Sequence, residues 1–180
     1  MSRVLILYGT TDGHTRLIAE SIGDALRLGG VEADVVRAGT ADPHPAWYDG
    51  VIVAASLHAG GYQKAVEHWV RAHARDFGTR PTAFVSACLS VVNRTPKVIA
   101  DLDEIVTRFS KTTGWKPMQI EHVAGALLYT RYGFIKRWLM KRIVEKQGGD
   151  TNTSKDYEYT DWVKLRSFAA DFRRRITAAA

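Results

Sequence analysis

Short, unbroken runs of apolar residues alternate with amphipathic segments along most of this chain. Five runs rich in aliphatic and β-branched residues predict strands, at residues 3–8, 31–36, 51–55, 81–86 and 119–128. An unbroken run such as that at residues 51–55 is typical of a strand that is buried on both faces of a parallel sheet. The pattern therefore predicts a sheet that other elements cover on both sides.

Apolar positions at helical spacing predict the elements between these strands. Four segments repeat apolar residues every three or four positions, at residues 16–28, 63–77, 97–113 and 161–176. Because strands alternate with helices, we predict an α/β fold with right-handed crossovers and helices on both faces of a doubly wound parallel sheet. The length of 180 residues predicts a single domain, residues 1–180.

One segment does not fit this alternation. Roughly thirty residues, 129–159, lie between the fifth predicted strand and the last helix, which is long for a connection of that kind. We predict that this segment is an insertion in the single domain.

Composition restricts the class of protein. The chain is 46% hydrophobic and 24% charged, as expected of a packed globular protein. A single cysteine, Cys88, excludes an internal disulfide framework and fits a reducing compartment. No signal peptide and no apolar stretch long enough to span a membrane is recognisable, so we expect a cytoplasmic location.

The positive charge of the chain is concentrated in the predicted insertion. The chain has 25 Lys and Arg against 19 Asp and Glu, a net charge of +6. Residues 131–146 contain six of the basic residues and one acidic residue, so +5 of the charge lies there and +1 in the rest of the chain. The six are Arg131, Lys136, Arg137, Lys141, Arg142 and Lys146.

A helical wheel of this basic segment separates charge from apolar surface, although imperfectly. The apolar half contains Phe134, Ile135, Trp138, Leu139 and Ile143, and the basic half Lys136, Arg137 and Lys141. Arg142 and Lys146 fall on the apolar half, and Met140 and Val144 on the basic half. Such a helix is typical of contact with an anionic membrane surface, which we predict for residues 131–146.

Two other interpretations of the basic segment remain open. The helix would equally pack on its own domain with its lysines in solvent. Nucleic acid is the other candidate partner, and we do not expect it, because no recognised nucleic-acid motif accompanies the positive charge.

The loop after the first strand is a candidate anion site. In a doubly wound sheet, ligands bind at the carboxyl ends of the strands. Hydroxyl groups, a glycine and small polar residues precede the first helix, in Thr10, Thr11, Asp12, Gly13, His14 and Thr15. Such a loop presents backbone N–H and hydroxyl donors to a phosphate monoester. The alternative is that Thr10 or Asp12 only caps the helix.

Several motifs in the chain resemble those of one family. The first strand with Thr-x-Asp-Gly-x-Thr resembles the FMN phosphate loop of flavodoxin-like proteins, with Asp12 in place of the common Thr. The carboxy-terminal motifs are Ala124-Gly-Ala-Leu-Leu-Tyr129, Arg131-Tyr132, Gly148-Gly149-Asp150-Thr151 and Tyr159-Thr-Asp-Trp162. Together they resemble the flavodoxin-like, quinone-dependent protoporphyrinogen oxidases (dehydrogenases) of haem synthesis. The resemblance covers nearly the whole chain and implies a five-stranded sheet in the order 2-1-3-4-5.

The resemblance also implies a cofactor and its binding residues. FMN is expected, with its phosphate on residues 10–15 and its ring between the loops that follow the third and fourth strands. The ring contacts expected are Ser56, Leu57, His58, Gly60, Gly61, Tyr62, Leu89, Ser90, Val91, Val92 and Asn93. For Tyr62, the alternative is a half-buried tyrosine that anchors the next helix. No metal site is predicted.

The implied reaction is oxidation of protoporphyrinogen IX to protoporphyrin IX, with electrons passed to menaquinone or another quinone at the inner face of the cell membrane. Candidate substrate contacts are Arg94, Arg131, Tyr132 and Arg137, because cationic and aromatic groups suit a macrocycle with propionates. His58 is a candidate proton shuttle, or an ordinary loop histidine. An NAD(P)H-dependent quinone reductase, a flavodoxin-type electron carrier and a membrane-surface binding module without flavin remain as alternatives.

Overall fold

The computed structural model of the protein describes residues 2–131, 133–146 and 149–179, except for the side chains of residues 131, 135, 136, 139, 143, 146 and 179. Its main sheet has five strands: β1 (Arg3–Gly9), β2 (Glu32–Arg37), β3 (Gly50–Ser56), β4 (Thr82–Ala87) and β5 (Gln119–Val123). The order is β2-β1-β3-β4-β5, and each neighbouring pair is parallel. The predicted doubly wound sheet and its strand order are confirmed.

Four helices cover the two faces of this sheet, and a further helix lies in the connection before the last one. They are α1 (His14–Leu28), α2 (Lys64–His73), α3 (Pro96–Thr113), α4 (Phe134–Lys146) and α5 (Trp162–Ala179). Helices α1 and α5 pack on one face, and α2 and α3 on the other. Within the described part of the chain, none of the helices combines the length and apolar character that a membrane span requires.

Apolar side chains fill both faces of the sheet, because successive residues of a strand point to opposite sides. In β1, Ile6 packs towards α1 and α5, whereas Leu5 and Leu7 pack towards α2 and α3. On the second side, Phe84 of β4 stacks on Phe109 of α3, with ring centroids 5.1 Å apart. Burial on both sides explains why the strands are unbroken apolar runs in the sequence.

Local signals set the ends of the helices. Helix α3 begins after Thr95, whose hydroxyl accepts the N–H of Val98, and it ends at Gly114, where φ is 75°. Helix α1 begins at His14, two residues before the predicted start. Gly13 adopts a φ of 92°, which glycine tolerates without a steric penalty and which turns the chain directly into the helix.

The predicted fifth strand, residues 119–128, is wrong beyond Val123. In the sheet Val123 lies opposite Ala87, the last residue of β4, so a longer β5 would have no neighbour with which to pair. The chain instead leaves the sheet and forms β6 (Ala126–Leu127), which pairs antiparallel with β7 (Tyr157–Glu158). We call this pair of short strands the ribbon; residues 129–159 begin just after its first strand and end just after its second.

Helix α4 packs on the ribbon through a small core of its own. Leu127, Tyr129 and Val144 are buried there. The hydroxyl of Tyr129 donates to the carbonyl oxygen of Asp150 at 2.9 Å, and Nε of Arg137 donates to the carbonyl oxygen of Tyr129 at 3.0 Å. The start, the helix and the end of residues 129–159 are therefore held to one another.

The stacked aromatic residues beneath α3 predict a large contribution of Phe84 to stability. Phe84 is fully buried and contacts Phe109 and Tyr62. We expect Phe84→Ala to lower the free energy of unfolding by about 3–5 kcal/mol, because it leaves a cavity between the sheet and α3. Urea denaturation followed by far-UV circular dichroism measures the change.

The matched control is Phe134→Ala, the same substitution at a side chain that is 86% exposed on α4. We expect that variant to stay within about 0.5 kcal/mol of the parent protein. Equal effects at the two positions would contradict the burial described for Phe84.

Candidate functional site

Loops from four strands surround a cavity at the carboxyl edge of the sheet. The cavity has a volume of about 320 Å³, within the range of small-molecule sites. Residues that follow β1, β3, β4 and β5 line it, and two side chains of α4 lie across it. This is the edge of the sheet at which a ligand is expected from the sequence.

The loop after β1 forms a candidate anion site on one side of the cavity. Thr10, Asp12, His14 and Thr15 line the cavity. The N–H of Gly13 donates to Oγ1 of Thr10 at 2.9 Å, which holds the loop in a tight turn. The N-cap residue of α1 is Gly13, which has no side chain to cap the helix, and the first turn contains no acidic residue. The first amide groups of α1 are therefore suited to an anionic group of a ligand.

Thr11 and Gly13 belong to the same loop but are not among the residues that line the cavity. Thr11 is exposed, and its Oγ1 accepts a hydrogen bond from Nε2 of Gln63 at 3.1 Å. Gly13 contributes its left-handed backbone conformation, in which a residue with a side chain would be strained.

The ring of His14 connects the loop to the end of the ribbon. His14 is buried, and its Nε2 lies 2.8 Å from Oγ1 of Thr160 and 3.3 Å from Oε1 of Glu158. The hydroxyl of Thr160 donates to the carbonyl oxygen of Ala124 at 2.8 Å, so the same oxygen accepts from His14. His14 thus fixes the start of α1 against residues that follow the insertion.

The loop after β3 forms a tight turn at the rim of the cavity. The N–H of His58 donates to the carbonyl oxygen of Gly61, and the N–H of Gly61 donates back to that of His58. Between them, Ala59 and Gly60 have φ values of 48° and 77°, which is a type I′ turn. Of the ring contacts predicted in this loop, Ser56, Leu57, His58 and Gly60 line the cavity, and Ala59 does so in addition.

Tyr62 lies in the core behind this loop and is not among the residues that line the cavity. Its ring packs edge-on against Phe84 and Phe109, with centroids 4.9 and 5.2 Å away. Its hydroxyl bonds to Oγ of Ser86 at 2.8 Å, and burial raises the pKa of Tyr62 to about 12. This environment corresponds to the alternative interpretation of Tyr62, a tyrosine that anchors α2. Gly61 is likewise outside the lining.

The loop after β4 divides its residues between two cavities. Leu89 and Ser90 line the first cavity, together with Ala87 and Cys88 at the end of the strand. Val91 is buried beneath them. A neighbouring cavity of about 270 Å³ is lined by Val92, Asn93, Asp150, Tyr159 and others, and it shares Leu89 and Val144 with the first.

Helix α4 covers the first cavity with a face that the helical wheel did not identify. Met140 and Val144 line the cavity from α4, and Gly125 and Ala126 line it from the start of the ribbon. The wheel assigned Met140 and Val144 to the basic half. They are one turn apart, at positions i and i+4. This spacing places both side chains on one face of the helix, and it was the only feature of the sequence that pointed to a shared role.

Of the four substrate candidates, the two whose side chains the structure describes, Arg94 and Arg137, do not line the first cavity. Nη2 of Arg94 donates to the carbonyl oxygen of His122 at 2.6 Å and lies 3.6 Å from Glu121, at the edge of β5. Arg137 is half-buried and bonded to Tyr129. Tyr132 and the side chain of Arg131 lie outside the described residues.

The donor groups and the walls of the cavity suit FMN. One side offers the start of α1 and threonine hydroxyls, which are appropriate for a phosphate monoester. The other sides offer small and apolar side chains such as Ala87, Leu57 and Leu89 beside backbone polar groups, which are appropriate for a flat ring with a polar edge.

Comparisons of the sequence with known proteins agree on the family of this chain. A model of the flavodoxin domain family matches residues 5–154. A protein of Escherichia coli K12 named protoporphyrinogen IX dehydrogenase (quinone) is 34% identical over 171 residues, which are 94% of this chain and 93% of that protein. A Leishmania major protein of the same name is 34% identical over 172 residues, 94% of this chain and 74% of its own length.

Solved structures agree at the level of the fold. Oxidised flavodoxin 1 of Bacillus cereus superposes with a TM-score of 0.57 at 16% identity, over 96% of this chain and 98% of the flavodoxin. Since the family model and the relatives cover most of its length, the chain belongs to the flavodoxin domain family and, within it, to the quinone-dependent protoporphyrinogen IX dehydrogenases.

Proposed function

We propose that the protein binds FMN and oxidises protoporphyrinogen IX to protoporphyrin IX, with a membrane quinone as the electron acceptor. A flavodoxin domain indicates a flavin cofactor, and the substrate and acceptor follow the names of the relatives. One observation carries the proposal for this chain. The cavity at the carboxyl edge combines an anion site on α1 with a cover supplied by α4, which lies in the connection before the last helix.

The residues that would hold FMN come from three loops. Thr10, Thr15 and the first amides of α1 would bind the phosphate, and the loops at 56–60 and 87–90 would enclose the ring. FMN held there would supply two-electron redox chemistry, so the six-electron oxidation of the macrocycle would take three cycles. Met140 and Val144 would exclude water from the ring and leave the substrate to enter along α4.

The second cavity is the proposed approach for the macrocycle, because it shares Leu89 and Val144 with the first. Tyr159 in its wall donates its hydroxyl hydrogen to Asp150, and burial with this bond raises the pKa of Tyr159. The phenol therefore stays protonated beside the carboxylate. Because Asp150 would repel a propionate, we propose that the propionates point towards the basic residues 131–146 instead, with Arg131, Tyr132, Arg137 and Arg94 as candidate contacts.

The outer face of α4 supports a proposed membrane contact, with a peripheral location at the inner face of the membrane. Phe134 and Trp138 are 86% and 56% exposed and lie one turn apart. Lys141 and Arg142 are exposed beside them, and the guanidinium of Arg142 lies 5.4 Å from the centroid of the Trp138 ring. Exposed aromatic residues flanked by cations suit an anionic headgroup layer, in which a lipid-soluble quinone is also available.

The proposed reaction has a direct test. We expect the purified protein to acquire a flavin absorption spectrum with FMN and to convert protoporphyrinogen IX into fluorescent porphyrin when a menaquinone analogue is supplied. Omission of FMN or of the quinone should abolish turnover. Quinone reduction by NADPH without porphyrinogen oxidation would instead indicate a quinone reductase. Failure to bind any flavin would contradict the proposal as a whole.

The anion site predicts a difference between FMN and riboflavin. Thr15 is 1% exposed and lines the cavity beside the start of α1. We expect Thr15→Val to weaken FMN binding about tenfold or more, because a hydrogen bond to a charged group contributes about 1.5–3 kcal/mol. Riboflavin, which has no phosphate, should bind equally to both forms. Fluorescence titration of each flavin gives the dissociation constants.

The matched control is Thr112→Val, the same change at an exposed position near the end of α3. It should leave both affinities unchanged. An equal loss of FMN and riboflavin affinity in Thr15→Val would show that the substitution disturbs the cavity in general and would argue against a phosphate site there.

The outer face of α4 predicts binding to anionic vesicles. We expect Phe134→Ala with Trp138→Ala to reduce co-sedimentation with phosphatidylglycerol vesicles at least tenfold, since both side chains would lose apolar contact with lipid. Binding should also weaken as salt rises, because the charges on α4 are exposed. Trp47→Ala is the control, since Trp47 is 65% exposed but precedes β3, at the other edge of the sheet. Equal binding by all variants would contradict the proposal.

A further inference from the structure

Two histidines and two aspartates meet at the edge of the sheet that is remote from the cavity. His44 and Asp42 lie in the connection that leads to the amino end of β3, and His73 and Asp76 lie at the end of α2 and in the turn after it. Nitrogen and oxygen atoms of His44, His73 and Asp76 all lie within 4.8 Å of one another. No metal site is predicted from the sequence, in which His44 and His73 lie in separate segments of the chain.

The distances within this cluster are those of a tetrahedral metal site. Nδ1 of His73 lies 3.1 Å from Oδ2 of Asp76, and Nε2 of His44 lies 3.5 Å from the same oxygen. With bonds to zinc of about 2.0–2.1 Å, the ligand atoms of a tetrahedral site lie about 3.3 Å apart. The Asp76 carboxylate therefore already stands at this spacing from both imidazoles, and the ligand atoms of the two imidazoles lie within 4.8 Å of each other.

Asp42 orients the central ligand. His73 is 8% exposed, and its Nε2 lies 2.9 Å from Oδ1 of Asp42. With a metal bound, Nε2 of the ring would donate its proton to this carboxylate, and Nδ1, which points towards Asp76, would be the ligand atom. A carboxylate that accepts the N–H of a metal-binding histidine is the usual arrangement in zinc sites. Trp69 packs against His73, with ring centroids 5.0 Å apart, and restricts the ring further.

We propose that His44, His73 and Asp76 bind a divalent transition metal ion, with Asp42 as the positioning residue and water in the fourth position. Two imidazole nitrogens and one carboxylate suit Zn²⁺, and they suit Mg²⁺ or Ca²⁺ poorly. In the metal-free protein, Nδ1 of His44 accepts the N–H of Ala46 at 3.2 Å. Coordination through Nε2 gives up that bond, because the neutral ring then carries its proton on Nδ1.

The bound ion would have a structural role and would take no part in the redox reaction. All four residues are described, and none is among those that line the first cavity. A bound ion would fix the connection between β2 and β3 to the end of α2, two segments that also meet here through the hydrogen bond between Asp42 and His73. The proposal is thus independent of the substrate of the flavin site.

The test is a zinc titration of tag-free, flavin-loaded protein after treatment with a chelator. We expect isothermal titration calorimetry to show one zinc ion bound per chain, and zinc to raise Tm. His44→Gln and Asp76→Asn should each weaken binding at least tenfold and remove most of the rise in Tm. Both positions are partly exposed, so the variants should fold, which the flavin spectrum and the Tm without zinc will report.

The matched control is His68→Gln, which removes an exposed imidazole of the same helix α2 outside the cluster. Its zinc affinity should equal that of the parent protein. The proposal is overturned if the parent protein binds no zinc, or if His44→Gln and Asp76→Asn bind it as tightly as the parent protein does. It is also overturned if His68→Gln loses affinity to the same extent, because binding would then be a general property of surface histidines.

Discussion

The crossing of the chain from one face of the sheet to the other, between β1 and β3, is the constraint on which the site depends. Helix α1 follows β1 on one face, and α2 follows β3 on the opposite face. The loops after these two neighbouring strands therefore diverge and leave a crevice at their carboxyl ends. The helix start, the tight turn at residues 58–61 and the end of β4 all border this crevice, because the order of the strands leaves them there.

The segment of residues 129–159, which includes α4, borders that crevice. It has its own small core, in which Tyr129 and Val144 are buried, and the same helix that supplies Val144 also covers the cavity. His14 belongs to the anion site and is bonded to Thr160 just beyond the ribbon. The structure thus connects the loop that would hold a phosphate with the segment that encloses the ring site. In the family to which the chain belongs, this connection is the place to look for communication between cofactor and substrate.

Much of this could be predicted from the sequence, and the failures have physical causes. Strands buried on both faces are unbroken apolar runs, so β1, β3 and β4 and the loops after them were evident. The end of β5 could not be predicted in this way, because it depends on the neighbouring strand β4, which stops at Ala87, opposite Val123. The cover formed by Met140 and Val144 was missed because a helical wheel shows only how hydrophobic each face of α4 is. It does not show which face packs against the rest of the protein. His44 and His73 approach each other only through tertiary folding.

The ribbon has a consequence for how such a protein changes over evolutionary time. Leu127 and Tyr157 are paired directly, so the polypeptide departs from the main fold and rejoins it at almost the same point. A segment attached in this way can lengthen, shorten or be exchanged without shifting the register of any of the five parallel strands. The five-stranded sheet with its helices and the segment between the two strands of the ribbon are, in this sense, separable parts of one chain, joined by two residues on each side.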